Sequence, residues 1–127
     1  MFIKTDYSIL GATAKPKDIV TKLKEFEYKT AIISDDNLFG TLEFYYECRK
    51  QGIMPIISTR IQAEGVHFIL IAENSNGYKN LSRLSKYEEI SLDKIKEHSE
   101  NVFVIIDFDN LNEEAMINAK TVLVNVY

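Results

Sequence analysis

The sequence predicts an α/β protein with a mostly parallel sheet of about six strands and helices packed against it. Short apolar runs rich in β-branched residues alternate along the chain with segments whose apolar residues recur at helical spacing. These runs are continuously apolar, as expected for strands covered on both faces. The length of 127 residues, 46% hydrophobic and 27% charged, predicts one globular domain over residues 1–127.

The strands follow from the apolar runs. After a first strand at the N-terminus, such runs occur at 30–34, 53–57, 66–72, 102–106 and 122–126. Residues 57–62 and 66–71 flank Ala63-Glu64-Gly65, which predicts a hairpin. The remaining strands are separated by helices, so we expect parallel pairing through right-handed crossovers.

Three longer helices are predicted from apolar side chains at helical spacing, each with one apolar face against the sheet. The stripes are Ile19–Val20–Leu23–Phe26, then Leu38–Leu42–Tyr45–Arg49 with Phe44 and Cys48 beside it, and finally Tyr78–Leu81–Leu84. Pro16 suits a first helical turn with Thr13 as its cap, and Gly52 suits a helix C-terminus. Residues 91–98 and 111–119 predict two shorter helices.

Composition excludes several classes of protein. One cysteine and two histidines exclude an internal disulfide, a thiolate zinc site and an all-histidine metal cluster. The net charge of −4 argues against binding nucleic acid through phosphate neutralisation. The N-terminus has no secretory pattern, and no apolar run approaches the ~20 residues that a membrane helix needs. We therefore expect a cytoplasmic protein without a membrane partner.

Acidic residues follow the predicted strands. Asp35, Asp36, Asp107 and Asp109 lie at carboxyl ends of strands, where open α/β sheets bind their ligands. Carboxylates gathered there can hold Mg²⁺ and position a phosphate. The same residue type also forms turns and caps helices at strand ends. One hypothesis is therefore a small Mg²⁺-dependent phosphatase or nuclease that uses Asp35, Asp107 and Asp109, and the alternative is a purely structural role.

Other reactive side chains favour structural roles. His67 lies inside an apolar run and is predicted to pack in a strand, whereas His98 is predicted on the surface at a helix end. Cys48 is predicted to be a small core residue rather than a nucleophile. Tyr45 and Tyr46 are predicted as core and rim of their helix rather than as a base-stacking platform.

Four stretches together resemble one known family. They are Thr5 to Leu10, Ile33 to Tyr45, Cys48 to Ile57 and His67 to Leu81. Their order and spacing are similar to the PHP (polymerase and histidinol phosphatase) domain, and most similar to the one that begins bacterial replicative DNA polymerase III alpha subunits. The resemblance implies a partial or pared-down form of a distorted, seven-stranded β/α barrel. It also implies that residues 1–127 are the N-terminal part of a longer polymerase chain.

The resemblance implies a degenerate metal site. PHP enzymes hold divalent metals with histidines and carboxylates and hydrolyse phosphoesters. The matching ligand positions fall on Phe2, Lys4, Gly11, Asp35, Asp36 and Arg60. Among them Asp35 keeps the family's ligand, and Asp36 stands where a histidine is missing. We expect no catalytic residue and no cofactor in this domain, and we expect Arg60 or Lys4 to be the counter-charge of Asp35, because an unpaired buried charge is costly.

The implied role is architectural. By resemblance the domain would pack against the rest of the polymerase alpha subunit and dock a proofreading exonuclease, while Mg²⁺ would serve the parent polymerase. A free-standing interaction domain is a further alternative. Open edges of a partial barrel also allow pairing with a second copy.

Overall fold

A computed structural model describes residues 2–3, 15–35, 38, 40–107 and 113–123. The elements are β1 (Phe2–Ile3), α1 (Pro16–Glu25), β2 (Thr30–Asp35), α2 (Thr41–Gln51), β3 (Met54–Ala63), β4 (Val66–Ala72), α3 (Ser75–Leu84), α4 (Leu92–Glu97), β5 (Val102–Asp107) and α5 (Glu113–Val122). The chain forms two compact units, residues 1–59 and residues 60–127, and β3 runs from the first unit into the second.

The first unit is built on three parallel strands in the order β1-β2-β3. The register places Ile32 of β2 opposite Phe2 on one side and Ile56 on the other. Its core combines side chains from both helices, from β2 and from the residue before β3, namely Val20, Leu23, Ala31, Ile33, Phe44, Cys48 and Ile53, and Ile57 of β3 packs against it. The parallel pairing predicted for this part of the chain is confirmed.

At the ends of α1 and α2, the structure agrees with the predictions for Pro16 and Gly52 and differs from the prediction for the N-cap of α1. Pro16 occupies the first helical position of α1, as expected, because its missing N–H is not needed there. The N-cap residue is Lys15, so the predicted capping role of Thr13 is wrong. Gly52 ends α2 with φ of 75°, the left-handed conformation in which glycine has no steric penalty.

The buried face of α2 differs from the predicted one. Thr41, Phe44 and Cys48 are buried, whereas Leu42 and Tyr45 of the predicted stripe are exposed. Both sets have helical spacing, so periodicity alone could not decide between them. The side facing the core is the one with the wholly apolar Phe44 ring and the small thiol.

The second unit contains a hairpin and an antiparallel pair. Within it the strand order is β3-β4-β5, and β4 pairs antiparallel with β5. Alternate residues of these two strands, Phe68, Leu70, Val104 and Ile106, are buried. The helices α3 and α4 contribute Leu81, Leu84, Leu92 and Ile95, which are also buried.

A tight turn joins β3 to β4, as predicted. Glu64 and Gly65 have φ values of 49° and 81°, the positive values that a two-residue type I′ turn requires. The Glu64 carboxylate accepts a hydrogen bond from the Leu92 backbone N–H at 2.8 Å, which satisfies a donor in the first turn of α4. The turn and the start of α4 are therefore fastened to each other.

The α/β class is confirmed, and two details differ from expectation. The described residues contain five strands, and Val122, the first residue of the predicted last strand, belongs to α5. β5 pairs antiparallel with β4 rather than parallel, although the helices α3 and α4 separate the two strands in sequence. No helix in the described part of the chain is long and apolar enough to cross a membrane.

Candidate functional site

The side chains at most of the predicted metal-site positions lie outside the part of the chain that the structure describes. Lys4, Gly11 and Asp36 lie outside the described residues, as does Asp109 of the alternative acidic cluster. Phe2 lies in β1 and Asp35 ends β2, but their side chains are also outside the described set. Two predicted site residues, Arg60 and Asp107, are described with their side chains.

Arg60 and Asp107 form an ion pair within the second unit. The Arg60 Nη1 atom lies 3.8 Å from Asp107 Oδ2, with the arginine side chain 37% exposed and the aspartate 19% exposed. Arg60 Nε is buried and has no hydrogen-bond partner among the described residues. A cation therefore neutralises one carboxylate of the predicted acidic cluster.

The expected pairing of Arg60 with Asp35 stays a prediction, because the Asp35 side chain is not described. The backbone register places Asp35 opposite Thr59, the residue before Arg60. Among the described residues, no three His, Cys, Asp or Glu side chains gather as a metal ion would require.

His67 lies opposite Asp107 in the β4–β5 ladder. Cα partners in an antiparallel pair project to the same face of a sheet, so the imidazole and the carboxylate share a face. The histidine is exposed, so its predicted packing role is wrong. The alternation of β4 instead buries its neighbours Val66 and Phe68.

The stretch at 73–81, which supports the family resemblance, has a structural role. Asn74 is the N-cap of α3, and its Oδ1 accepts a hydrogen bond from the Gly77 backbone N–H at 3.1 Å. Asn80 is buried, and its Nδ2 donates to the Glu100 carbonyl at 2.8 Å. The Asn74 amide thus caps the start of α3, and the Asn80 amide joins the second turn of the helix to the backbone at Glu100.

Gly77 is required by close backbone packing. A Cβ at this position would lie 2.1 Å from the Asn101 carbonyl oxygen and 3.1 Å from the Ala72 Cα. The same carbonyl accepts a hydrogen bond from the Glu73 N–H at 2.9 Å, and Asn101 itself has φ of 58°. The start of α3 thus sits directly on the turn that leads into β5.

The start of α3 at Asn74 could have been predicted from a local sequence signal that is independent of apolar periodicity. An Asn directly before a helical segment is a helix-start signal, because its side chain can cap the first turn. The close approach to Asn101 had no such signal, because it joins residues distant in sequence.

Cys48 is a buried thiol in the first unit, as predicted. Burial, with a smaller contribution from the neighbouring Glu47 charge, raises the pKa of the Cys48 thiol to about 11. Nucleophilic cysteines instead have lowered pKa values in electropositive, partly exposed surroundings. The geometry therefore gives Cys48 a packing role.

Buried hydroxyls lie in the first unit. Ser58 donates its hydroxyl to the Ile33 carbonyl, and the register places Ser34 opposite Ser58. Ser34 Oγ and Thr41 Oγ1 are buried without a hydrogen-bond partner among the described residues.

The fold is shared with a solved bacterial protein. A crystal structure from Bifidobacterium adolescentis, provisionally described as a metal-dependent phosphoesterase, superposes with a TM-score of 0.66 and covers 95% of this chain and 73% of that one. The two sequences are 10% identical, so the likeness shows the fold alone.

The sequence defines the family. Residues 2–121 match the PHP domain, and the chain belongs to that family. A DNA polymerase III subunit alpha of Borreliella burgdorferi is 35% identical over 101 residues, which is 67% of this chain and 9% of that one. The subunit of the same name from Helicobacter pylori is 30% identical over 124 residues, 80% of this chain and 10% of that one. The chain thus spans about a tenth of the length of these relatives.

Proposed function

We propose that this chain is a non-catalytic PHP domain of a bacterial replicative DNA polymerase III alpha subunit, with an architectural role. The observation that carries the proposal is the Arg60–Asp107 ion pair, 3.8 Å between Nη1 and Oδ2. By resemblance, Arg60 stands where the family has an acidic metal ligand. A guanidinium has five N–H donors, no acceptor and a permanent charge, so it can neither bind nor neighbour a metal ion favourably.

The residues at the other family positions support the same proposal. The first-motif histidine positions hold Phe2 and Lys4, a hydrocarbon ring and a cation. Divalent metals in phosphoesterases are bound by oxygen and imidazole ligands. The donor set on this chain therefore does not fit a metal cluster, and we derive no catalytic step through one. Any Mg²⁺ requirement would belong to the parent polymerase.

The proposed partners follow from the relatives. They are polymerase alpha subunits about ten times as long as the matched stretch, so the first partner is the rest of such a polypeptide. A proofreading exonuclease subunit is a second proposed partner, by resemblance alone.

Metal content and hydrolysis test the proposal together. The purified chain, dialysed against Mn²⁺ or Zn²⁺ and analysed by plasma mass spectrometry, should retain far less than one equivalent of metal. Hydrolysis of bis-p-nitrophenyl phosphate with Mn²⁺ or Mg²⁺ should equal the buffer rate. Stoichiometric metal would overturn the proposal, as would activity lost in Asp35→Asn or Asp107→Asn. That outcome would establish the Mg²⁺-dependent phosphoesterase that uses Asp35, Asp107 and Asp109.

A further inference from the structure

One exposed face of α2 is more apolar than a solvated helix surface. Leu42 is 60% exposed, Tyr46 62% and Tyr45 38%, and Arg49 is exposed on the same side. We call these four residues the α2 outer face. Single exposed apolar residues are normal, but a contiguous patch of them marks an interaction surface.

The α2 outer face is distinct from the two sides of α2 that are already in contact. Phe44 and Cys48 pack into the core of the first unit. Gln51 reaches α1, donating from Nε2 to Thr21 Oγ1 at 3.2 Å and accepting at its carbonyl from Lys24 Nζ at 2.7 Å. The tyrosines contact each other edge to face, with ring centroids 5.8 Å apart, which holds the two rings in a fixed arrangement.

The α2 outer face consists of residue types that are common at the centre of protein–protein interfaces. Tyrosine and arginine are the residue types most often found at the energetic centre of protein interfaces. Arg49 is the charged group of the face, so the surface opposite it should offer a carboxylate. The covering surface should otherwise be apolar, to match Leu42 and the two rings.

The size of the patch points to a tethered partner. The three apolar side chains expose on the order of 300 Å², well under the roughly 800 Å² per partner that a stable complex of separate proteins buries. Packing between parts of one chain needs less area, because the linker supplies an effective concentration of order mM. The relatives extend about tenfold beyond the matched stretch, which supplies such a tether.

We propose that the α2 outer face packs against another segment of the same polymerase polypeptide, an apolar surface with a carboxylate opposite Arg49. This inference rests on the proposed function and deepens it by naming the surface. It needs no metal chemistry, so it can fail while the non-catalytic role stands.

Site-specific photo-crosslinking in the complete gene product tests this inference. p-Benzoylphenylalanine replaces Tyr46 in one strain and, as a matched control, Tyr28, an exposed tyrosine of the same unit. After irradiation and digestion, the Tyr46 position should be joined to a peptide of the same polypeptide outside residues 1–127, and the Tyr28 position should not. Arg49→Glu should lower the cross-link yield roughly tenfold, because it sets like charges against each other.

Several outcomes would overturn the inference. A cross-link from Tyr46 to α2 of a second copy would make the face a homodimer surface, and one to another protein would make it an intermolecular site. Equal yields at Tyr46 and Tyr28, or no cross-link at Tyr46, would show an uncovered face. The melting temperature of the 127-residue chain with Arg49→Glu checks folding and should be unchanged. The metal and hydrolysis assays are read separately, so a failed cross-link does not decide the proposed function.

Discussion

Within each of the two compact units, a different set of contacts stabilises the fold. The first, residues 1–59, has parallel strands and a small apolar core, and it leaves two buried hydroxyls without partners among its described residues. In the second, residues 60–127, one carboxylate and two amides bond to backbone groups, from Glu64, Asn74 and Asn80. The side-chain-to-backbone bonds of the first unit include those from a hydroxyl and an ammonium group, Ser58 and Lys24. The family-like stretch in the second unit therefore serves the fold, whereas the stretch at 33–45 in the first unit contains Asp35 and Asp36, two of the positions that the resemblance implies for a metal site.

The first prediction tests whether apolar packing carries the first unit. Phe44→Ala should lower the free energy of unfolding by roughly 3–5 kcal/mol, because it empties a wholly buried ring position. Urea denaturation followed by circular dichroism measures this change. Tyr46→Ala, on the same helix but exposed, should change stability by less than about 0.5 kcal/mol. Equal effects would mean that the buried face of α2 is assigned wrongly.

The second prediction contrasts a glycine from each unit. Gly77→Ala should cost roughly 3 kcal/mol, because its Cβ would collide with the Asn101 carbonyl and backbone must move. Gly52→Ala should cost about 1 kcal/mol, since it meets nothing within 4 Å and its penalty comes from φ of 75° alone. Thermal melts of the two variants measure the difference. A cost for Gly77→Ala no larger than that for Gly52→Ala would remove the close-packing argument.

The third prediction is a pH dependence in the first unit. Folding raises the pKa of the Cys48 thiol from 9.0 to about 11, so the unfolded chain releases this proton at lower pH than the folded one. The stability that depends on the neutral thiol is complete below pH 9 and is lost as the pH rises towards 11. Between pH 8 and pH 10 we expect a loss of about 1 kcal/mol, measured by urea titration.

Cys48→Ala is the control for that pH dependence. It should lower stability at pH 8 and remove the loss specific to this thiol at pH 10. An unchanged pH slope in the variant would assign the alkaline loss to other groups. In the folded wild-type protein at pH 8, labelling of the thiol should be at least about 100-fold slower than in urea, from the difference in pKa alone.

The smallest effect concerns the ion pair of the second unit. A double-mutant cycle with Arg60→Met and Asp107→Asn should give a coupling energy of about 0.5 kcal/mol, because the two side chains are partly exposed and 3.8 Å apart. The coupling should decrease in 1 M NaCl, where charges are strongly screened. A coupling of zero at low salt would remove the ion pair from the argument for a replaced metal ligand.

Local features of the sequence predicted the strands, the hairpin and the cap at Gly52, because each depends on neighbouring residues. The orientation of α2 was not predictable in this way, since Leu42 and Phe44 lie on two competing apolar faces. The packing of Gly77 on Asn101 and the ion pair of Arg60 with Asp107 join residues 24 and 47 positions apart, and only the folded chain brings them together. Of the predicted site, the structure describes the side chains of Arg60 and Asp107, and their ion pair joins two residues that were not predicted to pair.

The turn at Glu64 and Gly65 also determines the register of the hairpin, and therefore which side chains of β4 are buried and which are exposed. A slip of one residue in β4 would turn Phe68 and Leu70 outward and bring His67 inward. The two positive φ values allow a single hairpin alignment, and the bond from Leu92 to Glu64 holds that alignment from outside the sheet. Which face of β4 carries His67 is thus decided by two turn residues that lie outside the strand.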